Sequence, residues 1–394
     1  MRTTRDQPGA SPGAMTKIRA SALLLLFLAA GASAHSATLS KTSDRWNATK
    51  AAAYLDQRIA WWTTWPGSAR DHGTFCISCH TALPYALARP ALRAALKESG
   101  PALGERKLWE NVTTRVRLWK DVNPYYHDKG DGPHKSDEAR GTESVLNALI
   151  LASRDAPAAL TDDTRLAFRN MWSLQKTSGA LSGSWSWLQF DNEPFEGHDS
   201  NYYGAALAAL AVGNVQDNYR SSPDIRRNLE LLAGYLNREY PKQSPINQVI
   251  LLWASGNWPG LITPERRRAT MDSVLAKQQN DGGWNLASLA WSWRDWEPLA
   301  LLKMFTRSYG TPLKSQSDGY ATALLAFTLE KVGVSRDEPH LTRALAWLEH
   351  NQDPHDGQWL SYSLNNRRDP HSPTGLFMSD AATAFAVLAL TAAN

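Results

Sequence analysis

Cysteine occurs at two positions in this chain, Cys76 and Cys79, and His80 follows directly after the second one. This Cys-x-x-Cys-His spacing is the attachment pattern of c-type haem. Two thiols at this spacing can both add to the vinyl groups of one porphyrin edge, and the adjacent imidazole can then bind the iron as its proximal ligand. The motif at 76–80 therefore predicts one covalently bound haem c, held by Cys76, Cys79 and His80.

Other chemistry is compatible with the same two thiols. A structural disulfide between Cys76 and Cys79 would be natural in an exported protein. A thioredoxin-like redox pair uses the same spacing, but normally in a βαβ setting that the sequence does not show. Zinc would need two further ligands nearby, and the chain has no second cysteine pair. We expect haem, with the disulfide as the main alternative.

The N-terminal residues have the pattern of an export signal. Lys17 and Arg19 precede an apolar run from Ala20 to Ala30, which ends in Ala-Ser-Ala at 32–34. A basic stub, a short hydrophobic stretch and a small-x-small exit are typical of a secretory signal peptide. The run is too short for a stable membrane anchor.

We therefore expect residues 1–34 to be a cleaved signal peptide, in which Met1 is a possible mis-assigned start because Met15 directly precedes the leader. Residues 35–394 are expected to form a single domain in the periplasm or another exported compartment, with no membrane span after cleavage. In bacteria c-type haem is attached on that side of the membrane, which agrees with the motif. The formal net charge is only +4, so nothing in the charge balance indicates a nucleic acid partner.

A repeated element runs through the chain. Three stretches share glutamine, then glycine, then tryptophan, namely Gln175 to Trp185, Gln279 to Trp284 and Gln352 to Trp359. Each follows an amphipathic helix pattern. Glycine at the end of such a helix allows the left-handed turn that stops it. The tryptophan can then pack across the turn, and the glutamine can bind freed backbone groups.

A second repeated unit is an apolar, alanine-rich helix that follows an acid, serine or threonine cap. Copies begin at Thr142, Asp199, Ser317 and Ser379, with a looser copy at Ser244. Pairing each polar-faced helix with the apolar helix after it gives six pairs: 47–65 with 74–90, 105–120 with 141–154, 163–176 with 199–213, 223–238 with 245–256, 263–280 with 318–333, and 338–351 with 380–392. The predicted fold is all-α, an (α/α)6 toroid with the apolar helices inside; an open solenoid is the alternative.

These glutamine–glycine–tryptophan elements and the helix opening at Ser317 resemble the squalene/hopene cyclase and protein prenyltransferase superfamily, over roughly residues 140–394. The resemblance implies the toroid and a hydrophobic chamber, but not the chemistry. The cyclases protonate their substrate with an Asp-x-Asp-Asp motif that this chain lacks. The prenyltransferases bind zinc through Asp, Cys and His near later helices, whereas this chain has no cysteine beyond Cys79.

In such a toroid all inner helices start at one rim, so the haem motif and polar groups at the other starts should meet there. Asp318, Glu143 and Asp199 are the candidate catalytic acids. Candidates for a sixth iron ligand, which must be His or Met in a conventional low-spin centre, are His198, then Met378, then His134. The acids around Glu196, in the stretch FDNEPFEGHDS, could serve glycosidic cleavage, although helix capping and solvation explain much of that cluster.

The sequence thus predicts an exported haem protein on a cyclase-like scaffold, acting in redox chemistry or electron transfer. It would use a redox partner protein and enclose a hydrophobic, isoprenoid-like small molecule. Two alternatives remain open: a haem-free terpenoid cyclase-like enzyme, and a binding protein whose Cys76–Cys79 bond is structural.

Overall fold

The computed structural model describes residues 46–122, 132–156, 159–190, 192–197, 199–215, 217–290, 316–364 and 368–392. All regular elements in these ranges are helical, with 14 α-helices and no β-strand, and the described residues belong to one compact unit, Asp44–Asn394. The predicted all-α class is confirmed. The predicted signal peptide at 1–34 and the ligand candidate His198 lie outside the described residues.

Six helices bury one face and leave the other polar. These peripheral helices are α1 (Ala48–Thr64), α3 (Leu103–Arg117), α5 (Asp162–Ser173), α8 (Arg226–Glu239), α10 (Pro264–Leu275) and α13 (Pro339–His350). Six further helices are largely buried. These core helices are α2 (Ala82–Leu96), α4 (Gly132–Asp155), α6 (Ser200–Gly213), α9 (Pro245–Asn257), α12 (Gly319–Lys331) and α14 (Phe377–Thr391). Two short helices, α7 (Asp217–Arg220) and α11 (Leu286–Ala290), complete the set.

The core helices lack a polar face. In α12, for example, every residue from Gly319 to Leu329 is buried. A helix that is apolar all round must be covered on every side by other helices, and each large aliphatic side chain buried in this way contributes about 1.5–3 kcal/mol. Successive core helices supply that cover: α2 packs on α4, α4 on α6, α6 on α9, α9 on α12, α12 on α14, and α14 on α2.

Two predicted helix starts were wrong. Helix α2 begins at Ala82 rather than at 74, because Ser78 Oγ accepts hydrogen bonds from the N–H groups of Thr81 and Ala82 and so caps the helix after the haem motif. Helix α4 begins at Gly132 rather than at 141. Its polar first turns are stabilised by Glu138, which pairs with side chains three and four residues earlier.

The three tryptophans of the repeated turns are all fully buried, and their indole N–H groups make the same hydrogen bond. Each donates to a carbonyl in the last turn of the preceding peripheral helix, at 2.7–2.8 Å: Trp185 to Met171, Trp284 to Val274 and Trp359 to Leu348. The carbonyls of Met171 and Val274 also accept the N–H groups of Leu174 and Lys277, which follow the helix end. The full burial of the three rings agrees with the packing predicted for them, and the hydrogen bond of the indole N–H is an additional finding.

The glutamines of these turns bind backbone carbonyls, as predicted, but in the second repeat the glutamine is Gln278 rather than Gln279. Gln278 Nε2 donates to the Gly282 carbonyl at 2.8 Å, as Gln175 does to Gly183 and Gln352 to Gly357. Gln279 instead accepts a hydrogen bond from Ser317. Two adjacent glutamines made the repeat ambiguous in the sequence.

Each glutamine also joins two peripheral helices. Its amide donates to a carbonyl at the start of another peripheral helix: Gln175 to Asn228, Gln278 to His340 and Gln352 to Asn47. The glycine of each turn has a positive φ and lies against the backbone one turn further into that same helix: Gly183 at Leu231, Gly282 at Arg343 and Gly357 at Lys50. Only glycine fits both the backbone conformation and the close approach.

Within the described ranges, none of the helices combines the length and apolar character that a bilayer crossing requires.

Candidate functional site

The Cys-x-x-Cys-His motif at 76–80 lies in the segment that leads into α2. Its first residue, Cys76, is held by backbone hydrogen bonds to α1 and to the segment after it. The Cys76 N–H donates to the Ser68 carbonyl at 2.7 Å. The carbonyl of Cys76 is bound as well, because Trp62 Nε1 of α1 donates a hydrogen bond to it, also at 2.7 Å. Because both backbone groups of Cys76 are bound, the first thiol is held at a fixed position although no helix has yet begun.

Helix α3 holds the residues just before the motif. Asn111 accepts a hydrogen bond from the Phe75 N–H at 2.8 Å and donates one to the Phe75 carbonyl at 3.0 Å. Arg115 of the same helix donates to Thr74 Oγ1 at 2.6 Å. The side chain of Asn111 thus binds both backbone groups of Phe75, as a neighbouring β-strand would. The motif is therefore held on one side by α1 and on the other by α3.

The two thiols are not joined to each other. Cys79 is 1% exposed and Cys76 is half-buried. Burial raises the pKa of both thiols, and the negative charge of Glu196 raises that of Cys79 further. Both are therefore protonated at neutral pH. A thiol in this state is a poor nucleophile towards disulfides, which is unlike the activated cysteine of a thioredoxin-type redox pair.

His80 is buried among aromatic rings. Its imidazole stacks on Phe377 of α14, with ring centroids 3.8 Å apart and an interplanar angle of 24°, and Trp62 meets it edge-on at 5.2 Å. Burial lowers the pKa of His80 well below its ordinary value, and the cations Arg368 and Arg58 lower it further. The imidazole is therefore neutral at neutral pH, which is the form that binds a metal.

A chain of hydrogen bonds runs from His80 to a buried ion pair. The Nδ1 atom of His80 lies 2.9 Å from Thr81 Oγ1, which in turn donates to Asp380 Oδ2 at 2.6 Å. Arg58 binds both carboxylate oxygens of Asp380, at 2.6 and 2.9 Å, and Tyr54 Oη donates to Oδ1 at 2.9 Å. These hydrogen bonds join α1, which carries Arg58 and Tyr54, to α14, which carries Asp380. Asp380 in turn binds Thr81, the residue that contacts the imidazole.

Glu196 is the acid that shares the surroundings of the motif. It is 8% exposed, and among the described residues no group donates a hydrogen bond to its carboxylate. Burial raises its pKa to about 7, against the opposing influence of Arg368 and Lys135. Its charge in turn raises the pKa of Cys79 and of Tyr203.

The three predicted catalytic acids lie in or next to three different helices, α4, α12 and α6. Glu143 lies in the middle of α4 and forms a buried ion pair with Arg115, at 2.5 and 2.8 Å. Asp318 caps α12 and accepts four hydrogen bonds, two of them from the first turn of that helix. Asp199 is exposed and accepts a hydrogen bond from Asn247 at 3.0 Å. Each carboxylate thus has a structural partner.

Two of the three sixth-ligand candidates can be located. Met378 is 1% exposed and lies in the first turn of α14, next to Phe377. The side chain of His134 is 73% exposed and its Nε2 binds Glu138 at 2.9 Å, so it lies at the surface. His198, the first choice, lies outside the described residues. In the ranges that the structure describes, no cluster of three or more His, Cys, Asp or Glu side chains could hold a metal ion.

Aromatic side chains fill the space between the motif and the core helices. Phe195 lies 6.5 Å from His80, between ring centroids, and 5.4 Å from Tyr320, which lies 5.8 Å from Phe385. The hydroxyl of Tyr320 is buried and has no hydrogen-bond partner among the described residues. An unpaired buried hydroxyl costs about 1–3 kcal/mol, so a group that accepts or donates a hydrogen bond at this place would stabilise the protein.

Sequence reasoning missed several residues of the site. Asp380 was expected near the motif, as one of the polar groups at the starts of the inner helices, but not as the partner of Thr81 and Arg58. Arg58 carried no signal because arginines on amphipathic helices are usually exposed. Trp62 and Phe377 were not singled out in the sequence. Their positions around His80 depend on the packing of α1 and α14 and not on any local pattern.

Comparison with known proteins gives no family for this chain: no protein-family model matches it, and neither does any curated protein sequence.

Proposed function

We propose that this chain is an exported protein that carries one haem c, attached through Cys76 and Cys79 with His80 as the proximal iron ligand, and that it acts in electron transfer or redox chemistry. One observation carries the proposal: two unjoined, protonated thiols and a neutral, buried imidazole lie together in the segment that enters α2. Attachment needs reduced, unjoined thiols, and the neutral imidazole is the form that binds a metal.

The donor set fits the chemistry of attachment. Each thiol adds across one vinyl group, so that one S–H bond and one C=C π bond are replaced by a C–S and a C–H bond. The step consumes no oxidant, but both thiols must be reduced. An imidazole with Nδ1 hydrogen-bonded and Nε2 available is the usual arrangement of a metal-bound histidine. Bound there, haem supplies a one-electron redox centre.

We further propose that the helices form a closed (α/α)6 toroid with the core helices inside. The cyclic order of contacts among the core helices, in which α14 packs on α2, supports closure. So does Gln352, which joins the turn after the last peripheral helix to Asn47 at the start of the first one. In an open solenoid the terminal helix pairs would have no reason to meet.

The hydrophobic small molecule predicted from the family resemblance remains part of this proposal. The rings of Phe195, Tyr203 and Tyr320 adjoin the motif and would form the apolar wall of such a site, and the Glu196 carboxyl would be its polar group. A pocket with mainly apolar walls and few polar groups is typical of small-molecule sites.

The experiment is expression of the full chain with an export signal together with haem-attachment machinery, followed by a haem stain of the denatured protein on a gel. We expect the wild type and the control Ile77→Val to retain haem, because Ile77 lies between the thiols without taking part. Cys76→Ala and Cys79→Ala should each lose most of the stain. Equal staining of all four proteins, or none in the wild type, would reject covalent attachment through this motif.

A further inference from the structure

We propose that Thr81 and Asp380 fix the proton of His80 on Nδ1, so that His80 presents an unprotonated Nε2 and a strengthened donor atom to the iron. The iron-binding half of this statement rests on the proposed function. The proton position is a property of the chain alone and can be measured without haem.

The carboxyl group of Asp380 is surrounded by hydrogen-bond donors. Arg58 cannot be deprotonated in a protein and only donates. Because it donates to both oxygens of Asp380, each of them serves as an acceptor. Tyr54 adds a third donor at Oδ1. The two charge-assisted hydrogen bonds from Arg58 stabilise the carboxylate form, which has no proton to give.

The hydroxyl of Thr81 has a single proton. Its Oγ1 lies 2.6 Å from Asp380 Oδ2, within the range of a charge-assisted O–H···O⁻ bond, and so the proton points towards the carboxylate. The contact of 2.9 Å between Thr81 Oγ1 and His80 Nδ1 then has to be made with Oγ1 as the acceptor. It follows that Nδ1 carries a proton. In a neutral imidazole this leaves the lone pair on Nε2.

The relay also affects the strength of the ligand. A carboxylate at the far end of the relay polarises the Thr81 hydroxyl, which in turn draws on the Nδ1–H bond. The ring is therefore more basic than it would be in the same surroundings without this acceptor, although Arg368 and Arg58 act in the opposite direction. A more basic imidazole stabilises ferric over ferrous iron and lowers the reduction potential. Asp380 comes from α14, 299 residues along the chain from Thr81, and so the docking of α14 on α2 sets this property of the motif. Thr81 and Asp380 are positioning residues, since neither would touch the iron.

The first test measures the tautomer of His80 in the haem-free full chain, by NMR of the ring nitrogens after labelling histidine with ¹⁵N. His80→Gln identifies the signal by its disappearance. We expect the Nδ1–H tautomer in the wild type. Thr81→Val removes the hydroxyl at nearly constant volume and leaves the Arg58–Asp380 pair intact, so it should move His80 towards the Nε2–H tautomer. Thr81→Ser keeps the hydroxyl and should retain the wild-type tautomer.

An Nε2–H tautomer in the wild type would overturn the inference without any variant. So would an Nδ1–H tautomer that survives in Thr81→Val. In protein with attached haem, Thr81→Val should have a higher midpoint potential than the wild type, and Thr81→Ser should keep the wild-type value; three equal potentials would reject the effect on ligand strength. Failure of haem attachment would reject the proposed function but would leave the tautomer result standing.

Discussion

The side-chain amide of Gln352 donates a hydrogen bond of 3.1 Å to the carbonyl of Asn47, the N-cap residue of α1. The same contact joins Gln175 to α8 and Gln278 to α13, but here it links the turn after the last peripheral helix to the first peripheral helix. A single hydrogen bond of this kind contributes about 1 kcal/mol. Its significance is therefore geometric, because it requires α13 and α1 to be neighbours.

Gly357, which lies beside this contact, provides a test of ring closure. Both Gly357 and Gly333 have a positive φ, at 78° and 83°. A Cβ atom on Gly357 would lie 2.5 Å from the Lys50 carbonyl carbon, whereas one on Gly333 would meet nothing within 4 Å. Gly333→Ala should cost about 1–2 kcal/mol through backbone strain alone. Gly357→Ala should cost at least about 1 kcal/mol more, because the α1 backbone must also move. Urea unfolding measures both, and equal losses would contradict the contact.

The ion pair between Arg115 and Glu143 should be essential for stability. Both side chains are buried, at 1% and 6% exposed. Glu143→Gln leaves the guanidinium of Arg115 without its counter-charge and should lower the free energy of unfolding by about 3–5 kcal/mol. The matched control is Asp163→Asn. It breaks the pair with Arg117, whose side chain is 63% exposed, and should change the free energy of unfolding far less, because water screens an exposed pair. Similar losses in the two variants, measured by urea unfolding, would disprove a structural role for Glu143.

Asp318 should make stability depend on pH in a defined window. Burial raises its pKa from the ordinary 3.8 to about 6 in the folded protein. The folded state therefore binds the proton more tightly than the unfolded state between these values, and stability falls as pH rises from about 4 to about 6. Two pKa units correspond to about 3 kcal/mol.

Asp318→Asn removes this titration. The free energy of unfolding of the wild type minus that of the variant should decline across pH 4 to 6 and be constant above pH 7. A difference that rises over the same interval would mean that the four hydrogen bonds to Asp318 outweigh its burial.

Replacement of His80 should alter the iron centre without detaching it. His80→Ala removes the proximal ligand and leaves both thioethers, so haem should stay covalently bound while the visible spectrum shifts towards high spin. His134→Ala is the control. That imidazole is exposed and bound to Glu138, so its loss should leave the spectrum unchanged. An unchanged spectrum in His80→Ala would refute ligation by this residue, and a changed one in His134→Ala would restore His134 as a ligand candidate.

Helix positions were predictable from the sequence because apolar spacing and turn chemistry are local. The spacing predicted α1 at 47–65, and the helix spans Ala48–Thr64. The binding of the glutamines to backbone carbonyls was likewise predictable, since free carbonyls collect at a helix end. The start of α2 was not, because it depends on Ser78, whose side chain accepts the N–H groups of Thr81 and Ala82.

The site was predictable at Cys76, Cys79 and His80 and unpredictable around them. The motif is recognisable in the sequence because its three residues lie within five consecutive positions. The residues that position it, Thr81 excepted, come from distant helices, and Asp380 and Arg58 meet only when α14 and α1 are docked against each other. From the sequence alone, an arginine that is buried in the fold cannot be distinguished from one at the surface. These contacts depend on tertiary packing, which no periodicity encodes.

The most direct test of the central claim is a pyridine haemochrome spectrum of the full chain, exported in the presence of haem-attachment machinery, denatured and extracted with acidified acetone. Haem joined by two thioethers stays with the protein, and the account predicts the corresponding spectrum at one haem per chain. A protein that shows no Soret absorption and contains an intact Cys76–Cys79 disulfide would contradict it.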